Sequence, residues 1–241
     1  MPTDAFEGFE PSALTFLRGL ARHNERPWFE ARRAIWERQL RDPMRALVEE
    51  MDLRLAAFAP EVIGDPRRSV FRIHRDIRFS KDKSPYKTHV SCQFFHRDAR
   101  HGAGQDAEGA GAGFYFQIAP GECFAAAGIW MPARPALERL RDALAADHET
   151  FEAIVTAPAF RRLARRLDEE SMLVRTPRGY APDHPAARWL RYRSFTVSRV
   201  LGDAQALGPG LPRRLETIFR TLTPFVRWLN AALGLRASDR R

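Results

Sequence analysis

Apolar residues recur every three to four positions through the first 60 residues. They recur at every second position over much of residues 70–130, and return to the longer spacing after that. Three- to four-residue spacing marks amphipathic helices and alternation marks half-buried strands. Pro11 stands at the first helical position of PSALTFLRGLARHN, where Leu14, Leu17, Leu20 and Ala21 form one stripe. Pro27 opens PWFEARRAIWERQL, with Trp28, Ala31, Ile35 and Trp36 as its apolar positions. Asp42, followed by Pro43, reads as the N-cap of a third helix carrying Met44, Leu47, Val48, Met51 and Leu55. In VFRIHRDIRF, Phe71, Ile73, Ile77 and Phe79 share one face; Arg72, His74, Asp76 and Arg78 share the other, and Arg75 interrupts the apolar side. In HVSCQFF, Val90, Cys92 and Phe94 alternate with His89, Ser91 and Gln93; in GFYFQI, Phe114, Phe116 and Ile118 alternate with Tyr115 and Gln117. The turn APGE at 119–122 predicts a hairpin with CFAAAGIW, and RSFTVSRV at 193–200 adds a fifth strand.

Leu137, Leu140 and Leu144 predict a helix in RPALERLRDALAADH, and 149–167 reads as one or two further basic helices. GYAPDHPAARWL is a proline-rich turn leading into a short helix. Thr223 N-caps a final helix opened by Pro224, with Phe225, Trp228 and Leu229 inward and Gly234 at its end. The expected fold is α+β: a central antiparallel sheet of about four to six strands flanked by N-terminal and C-terminal helices. Residues 1–241 read as a single domain: 1–60 helical, 68–131 sheet, 132–192 helical, 193–200 strand and 211–234 helical.

At 241 residues the chain has the length of one large domain. It contains no run of about 18 apolar residues, so no membrane partner is expected, and its first residues lack the pattern of a secretory signal. Two cysteines, Cys92 and Cys123, fit core positions in a reduced, cytoplasmic protein. Charge changes the picture more. The net charge is +9, with +7 in residues 67–100 and +6 in 158–200, leaving the remainder acidic. Such clustering suits an anionic partner: a phosphate-bearing small molecule, a carboxylate or a nucleic acid. The glycine-rich stretch 97–113 precedes a strand rather than a helix, so it does not form a dinucleotide-binding turn, and no cofactor is expected.

The chain's only lysines, Lys81, Lys83 and Lys87, fall in KDKSPYK; every other basic side chain apart from the histidines is arginine. This heptapeptide reads as a proline-fixed turn between two strands, beside a row of Arg, His and Asp. Ammonium groups on flexible stems next to rigid guanidinium forks suit anion capture. The candidate binding residues are Arg72, Arg75, Arg78, Lys81, Lys83, Tyr86, Lys87 and His89, with Trp130, Tyr115 and Tyr86 as a stacking surface if they share a side. An enzymatic alternative takes Asp76 or His74 as general base and Lys83 or its neighbours as stabilisers of negative charge. No nucleophile motif supports it. His74, Asp76 and His89 lie among arginines that would repel a cation, so no metal site is expected.

FRIHRDIRFSKDKSPYKTH resembles the signature of domain-of-unknown-function family 2461, found in bacteria and fungi. The resemblance extends to FLRGLARHNERPWFEARR, to GFYFQIAPGECFAAAGIWMP and to GYAPDHPAARWLR, and so covers nearly the whole chain. It implies one intact domain and no particular activity. It also implies that lysine is the residue the motif requires at 81, 83 and 87, which favours a need for ammonium groups over a need for charge alone.

Overall fold

The computed structural model of the chain describes residues 6–78, 80–99 and 109–237. Where alternation is cleanest, the chain forms strands. They are β1 (Val62–Ile63), β2 (Val90–His96), β3 (Gly113–Ile118), β4 (Cys123–Ile129) and β5 (Phe195–Leu201). These make one antiparallel sheet in the order β1-β2-β3-β4-β5. Register sorts its residues into two faces. Phe94, Phe114, Ala127 and Val197 lie in one row across β2–β5, and Gln93, Tyr115, Ala126 and Ser198 in the next. Side chains in successive rows point to opposite sides.

The apolar face carries Cys92, Phe94, Phe114, Phe116, Ala125 and Ala127, all buried. Helices α4 (Asp42–Leu55), α9 (Asp203–Leu207) and α10 (Leu211–Ala232) contact the sheet. Phe219 of α10 stacks on Phe114 at 4.5 Å between centroids and meets Phe94 at 5.7 Å. Burying each such ring contributes about 1.5–3 kcal/mol. Further helices lie around this core: α1 (Pro11–Arg22), α2 (Arg26–Glu30), α3 (Arg33–Trp36), α5 (Arg134–Ala146), α6 (His148–Thr156), α7 (Pro158–Leu163) and α8 (Ala187–Leu190). The α+β expectation holds. Among the described residues, no helix is long and apolar enough to cross a membrane.

Several local expectations are corrected. Residues 70–78 are not a continuous strand. They run antiparallel to 86–92 through two isolated bridges, Val70 with Cys92 and His74 with Tyr86. The pairing offset changes between those points, and Pro85 has no N–H to extend a ladder. The alternation still governs burial: Phe71, Ile73, Arg75 and Ile77 are wholly or partly buried, while Arg72, His74, Asp76 and Arg78 are exposed. Phe79 and the stretch 100–108 of the expected glycine-rich loop lie outside the described residues. Asp42 does not cap a helix. Helix continues from α3 through a π turn (Glu37–Arg41) into α4, and the widened turn accommodates Pro43. Phe29, Trp36 and Leu40 face inward there, whereas Ala31 and Ile35 are exposed. Pro224 does not open a helix but lies within α10. The apolar stripe of Leu215, Phe219, Leu222, Phe225, Val226 and Leu229 runs past it into the core and outweighs one missing hydrogen bond. Thr223 donates to the Phe219 carbonyl (2.8 Å).

Candidate functional site

The heptapeptide sits at the tip of the irregular hairpin formed by residues 70–92. Asp82 organises the tip, accepting from the Ser84 N–H (2.9 Å), the Ser84 hydroxyl (2.6 Å) and the Arg75 guanidinium. The Ser84 donors, then Arg75, hold its carboxyl far below the usual carboxylate range. Arg75 reaches this turn because it occupies an inward position of the alternation, and it also donates to Ser80 (3.4 Å). Lys83 donates its Nζ to the Ile77 carbonyl (2.9 Å), closing the turn from the other side. Asp76 accepts from Arg78 Nη2 at 2.7 Å, and the Arg78 side chain, followed by its backbone N–H, lowers the Asp76 pKa to about 2. Lys81 is exposed and pairs with no carboxylate among the described residues.

The base of the hairpin is fastened to the N-terminal helices. Asn24, between α1 and α2, donates to the Tyr86 carbonyl (2.9 Å) and accepts from the Tyr86 N–H (3.0 Å), standing in for a neighbouring strand. The Tyr86 ring is buried and stacks on Phe29 at 4.3 Å. His74 is exposed, with its ring 5.2 Å from Tyr86 and 6.5 Å from Phe29. The residues proposed for binding therefore divide. Arg75, Arg78 and Lys83 are engaged in the turn itself, and Tyr86 anchors it. The catalytic candidates His74, Asp76 and Lys83 each engage a different partner.

Lys87 and His89 continue the parity of Ser91 and Gln93, which point to the second face of the sheet. The Lys87 ammonium lies 5.1 Å from the Phe71 ring centroid. Phe71 meets Tyr115 at 6.0 Å, and Tyr115 meets Phe124 at 5.6 Å. The Tyr115 hydroxyl donates to Gln117 Oε1 (2.8 Å). Burial pushes its pKa up to about 12, partly offset by a hydrogen bond from Ser91. Burial first, then Arg72, lowers the Lys87 pKa. Burial, then Lys87, takes His89 down to about 4. Lys87 and His89 pair with no carboxylate among the described residues. Arg72 lies in the field of Asp76, but Asp76 is bonded to Arg78.

The sequence offered Tyr115 as a stacking residue but displayed the alternating polar positions Ser91 and Gln117 without singling them out, and gave no sign of the bonds that Asn24 makes. The signal for Ser91 and Gln117 was the alternation itself, joined to Lys87 and His89 on the same face. Of the three aromatics considered for stacking, Tyr115 lies on this face, Tyr86 is buried beneath the hairpin, and Trp130 is exposed just beyond β4. No three His, Cys, Asp or Glu side chains among the described residues form a metal-binding group. A small pocket of about 60 Å³ lies elsewhere, lined by Ala110, Pro135, Arg139 and Leu235 among others. That is far smaller than a typical small-molecule site of roughly 300–1,000 Å³.

A family model described as "Conserved hypothetical protein (DUF2461)" matches residues 12–228. Comparison with curated proteins and with solved structures gave no match.

Proposed function

The chain belongs to the DUF2461 family, and on that footing we propose that it binds an anionic ligand, phosphate-bearing by preference, through Arg72, Lys87 and His89 at the edge of the sheet's second face. Lys87 carries the reading. Its ammonium is half-buried on an aromatic ring with no carboxylate paired to it among the described residues, and two further basic groups stand close by. Partial burial of a cation without a counter-charge is unfavourable, and a bound oxyanion relieves it. Such an anion would restore the Lys87 pKa and draw a proton onto His89, adding charge-assisted hydrogen bonds. The turn residues Asp82, Arg75 and Lys83 act in support by fixing the hairpin tip. The enzymatic alternative has weaker support, because a carboxylate with a pKa of about 2 is a poor general base near neutral pH.

Calorimetric titration with inorganic pyrophosphate tests the reading. Lys87→Gln should weaken binding about tenfold or more, in line with loss of a hydrogen bond to a charged group. Lys81→Gln, which changes net charge equally at an exposed position, should weaken it by about twofold at most. Equal losses from both variants, or no binding by the unaltered protein, would remove the proposal.

A further inference from the structure

The second face of the sheet does more than hold a cation. Tyr115 on β3 and Phe124 on β4 lie side by side across neighbouring strands. Val200 on β5 sits directly opposite Phe124 and is 73% exposed. Phe71, Tyr115 and Phe124 are half-buried and Phe95 is buried, and Phe95, Tyr115 and Phe124 lie outside the hydrophobic core beneath the other face. The result is a partly open apolar strip crossing β3, β4 and β5. Its polar neighbours are Gln93 and Ser198, in the same register row as Tyr115. Cations are spread along one edge of it. Lys87 lies over Phe71, Arg68 lies 4.8 Å from the Phe95 ring centroid, and Arg72 and His89 are near Lys87.

We propose that this strip is a stacking platform for the bases of a single-stranded nucleic acid, whose phosphates are met by Arg68, Arg72, Lys87 and His89. The inference rests on the anion-binding reading above and specifies the class of ligand. Aromatic side chains on an open sheet face bind bases by stacking, and a flanking basic edge follows the sugar–phosphate backbone. Two features point to a strand rather than a lone nucleotide. Tyr115 and Phe124 offer two platforms in series, and the cations are spread over four side chains rather than gathered at one phosphate position. A duplex would hide its base faces from this strip. The protein's +9 charge and the +7 carried by residues 67–100 complement a polyanion.

Fluorescence anisotropy on the full chain tests the inference. The probes are a labelled ten-nucleotide single strand of mixed sequence, its duplex, AMP and pyrophosphate. The single strand should bind about tenfold or more tightly than the duplex or AMP. Phe124→Leu should weaken single-strand binding about fivefold or more, the lower end of the value of one base–aromatic stack, and leave pyrophosphate binding unchanged. Lys87→Gln should weaken both. Val200→Glu, at an exposed position where folding is not at stake, should weaken the single strand in the same way as Phe124→Leu. Circular dichroism melting of each variant identifies any loss of fold.

Three outcomes overturn the inference while leaving anion binding in place. They are a single strand insensitive to both Phe124→Leu and Val200→Glu, AMP binding as tight as the strand, and pyrophosphate binding with no strand binding. Absence of pyrophosphate binding, with Lys87→Gln silent for every probe, removes the anion reading and this inference together.

Discussion

Near neutral pH, His89 is an uncharged imidazole beside a charged ammonium, and that fixes the sign of its contribution to stability. Its pKa is about 4 in the fold, from burial and then Lys87, against about 6.5 in an unfolded chain. Between those values the unfolded chain binds a proton that the folded one does not. Stability is therefore fully present above about pH 6.5 and is lost as pH falls through about 4, by at most about 3 kcal/mol. Denaturant unfolding at pH 7 and pH 4.5 should show this loss, and His89→Gln should reduce it. Pyrophosphate should also reduce it, because a bound anion favours the charged imidazole. Asn24 makes a second prediction at this scale. Asn24→Ala leaves the half-buried backbone groups of Tyr86 without partners and should cost about 1–3 kcal/mol in urea unfolding. The role of Asn24 was hidden in the sequence because its partner is 62 positions away. The difference among the three lysines was hidden for a related reason. Composition sets Lys81, Lys83 and Lys87 together, but Lys81 and Lys83 lie exposed at the hairpin tip, Lys83 bonded to the Ile77 carbonyl, while Lys87 lies half-buried against Phe71 at its base.

At the scale of elements, the sequence was most readable where local preference and tertiary packing agree. Residues 113–118 alternate, follow glycines and precede a turn, and they form β3 at those bounds. Residues 70–79 alternate equally well, yet their partner strand begins with Pro85 and their pairing offset shifts. The burial pattern was therefore legible and the absence of a ladder was not. The prolines misled in another way. Pro43 and Pro224 each read as a helix start, and each lies inside a helical run whose apolar stripe continues across it. Pro224 is exposed and interrupts the hydrogen bonding of α10, so Pro224→Ala should stabilise the protein. The gain should be about 1–3 kcal/mol, read as a higher midpoint in thermal or urea unfolding. No change would mean that packing of the α10 stripe already compensates for the missing hydrogen bond.

Across the whole molecule, α10 is tied to the segment before β1 by Glu61 and Arg227, 166 residues apart. Arg227 reaches the Glu61 carboxylate at 2.7 and 3.1 Å and the Phe58 carbonyl at 3.0 Å. The two ends of this link are unequal: the Glu61 side chain is 2% exposed and that of Arg227 41%. Removing the partner of a buried charge costs more than removing the buried charge itself. Arg227→Met should therefore destabilise the protein by about 3 kcal/mol or more, and Glu61→Gln by clearly less; denaturant midpoints compare them directly. The placement of α10 also bears on how the chain is made. Strands β2, β3 and β4 pair with their sequence neighbours, so this meander is available as soon as those residues leave the ribosome. Phe94 and Phe114 wait for Phe219, which is synthesised more than 100 residues later, and β5 closes on β4 only after α5–α8 have been made. Until then the growing chain carries a paired sheet whose apolar face has α4 beside β2 but lacks α10, a partly uncovered species prone to self-association. Chains that stop before residue 211 would leave Phe94 and Phe114 without Phe219, and such truncated products should self-associate where the full chain does not.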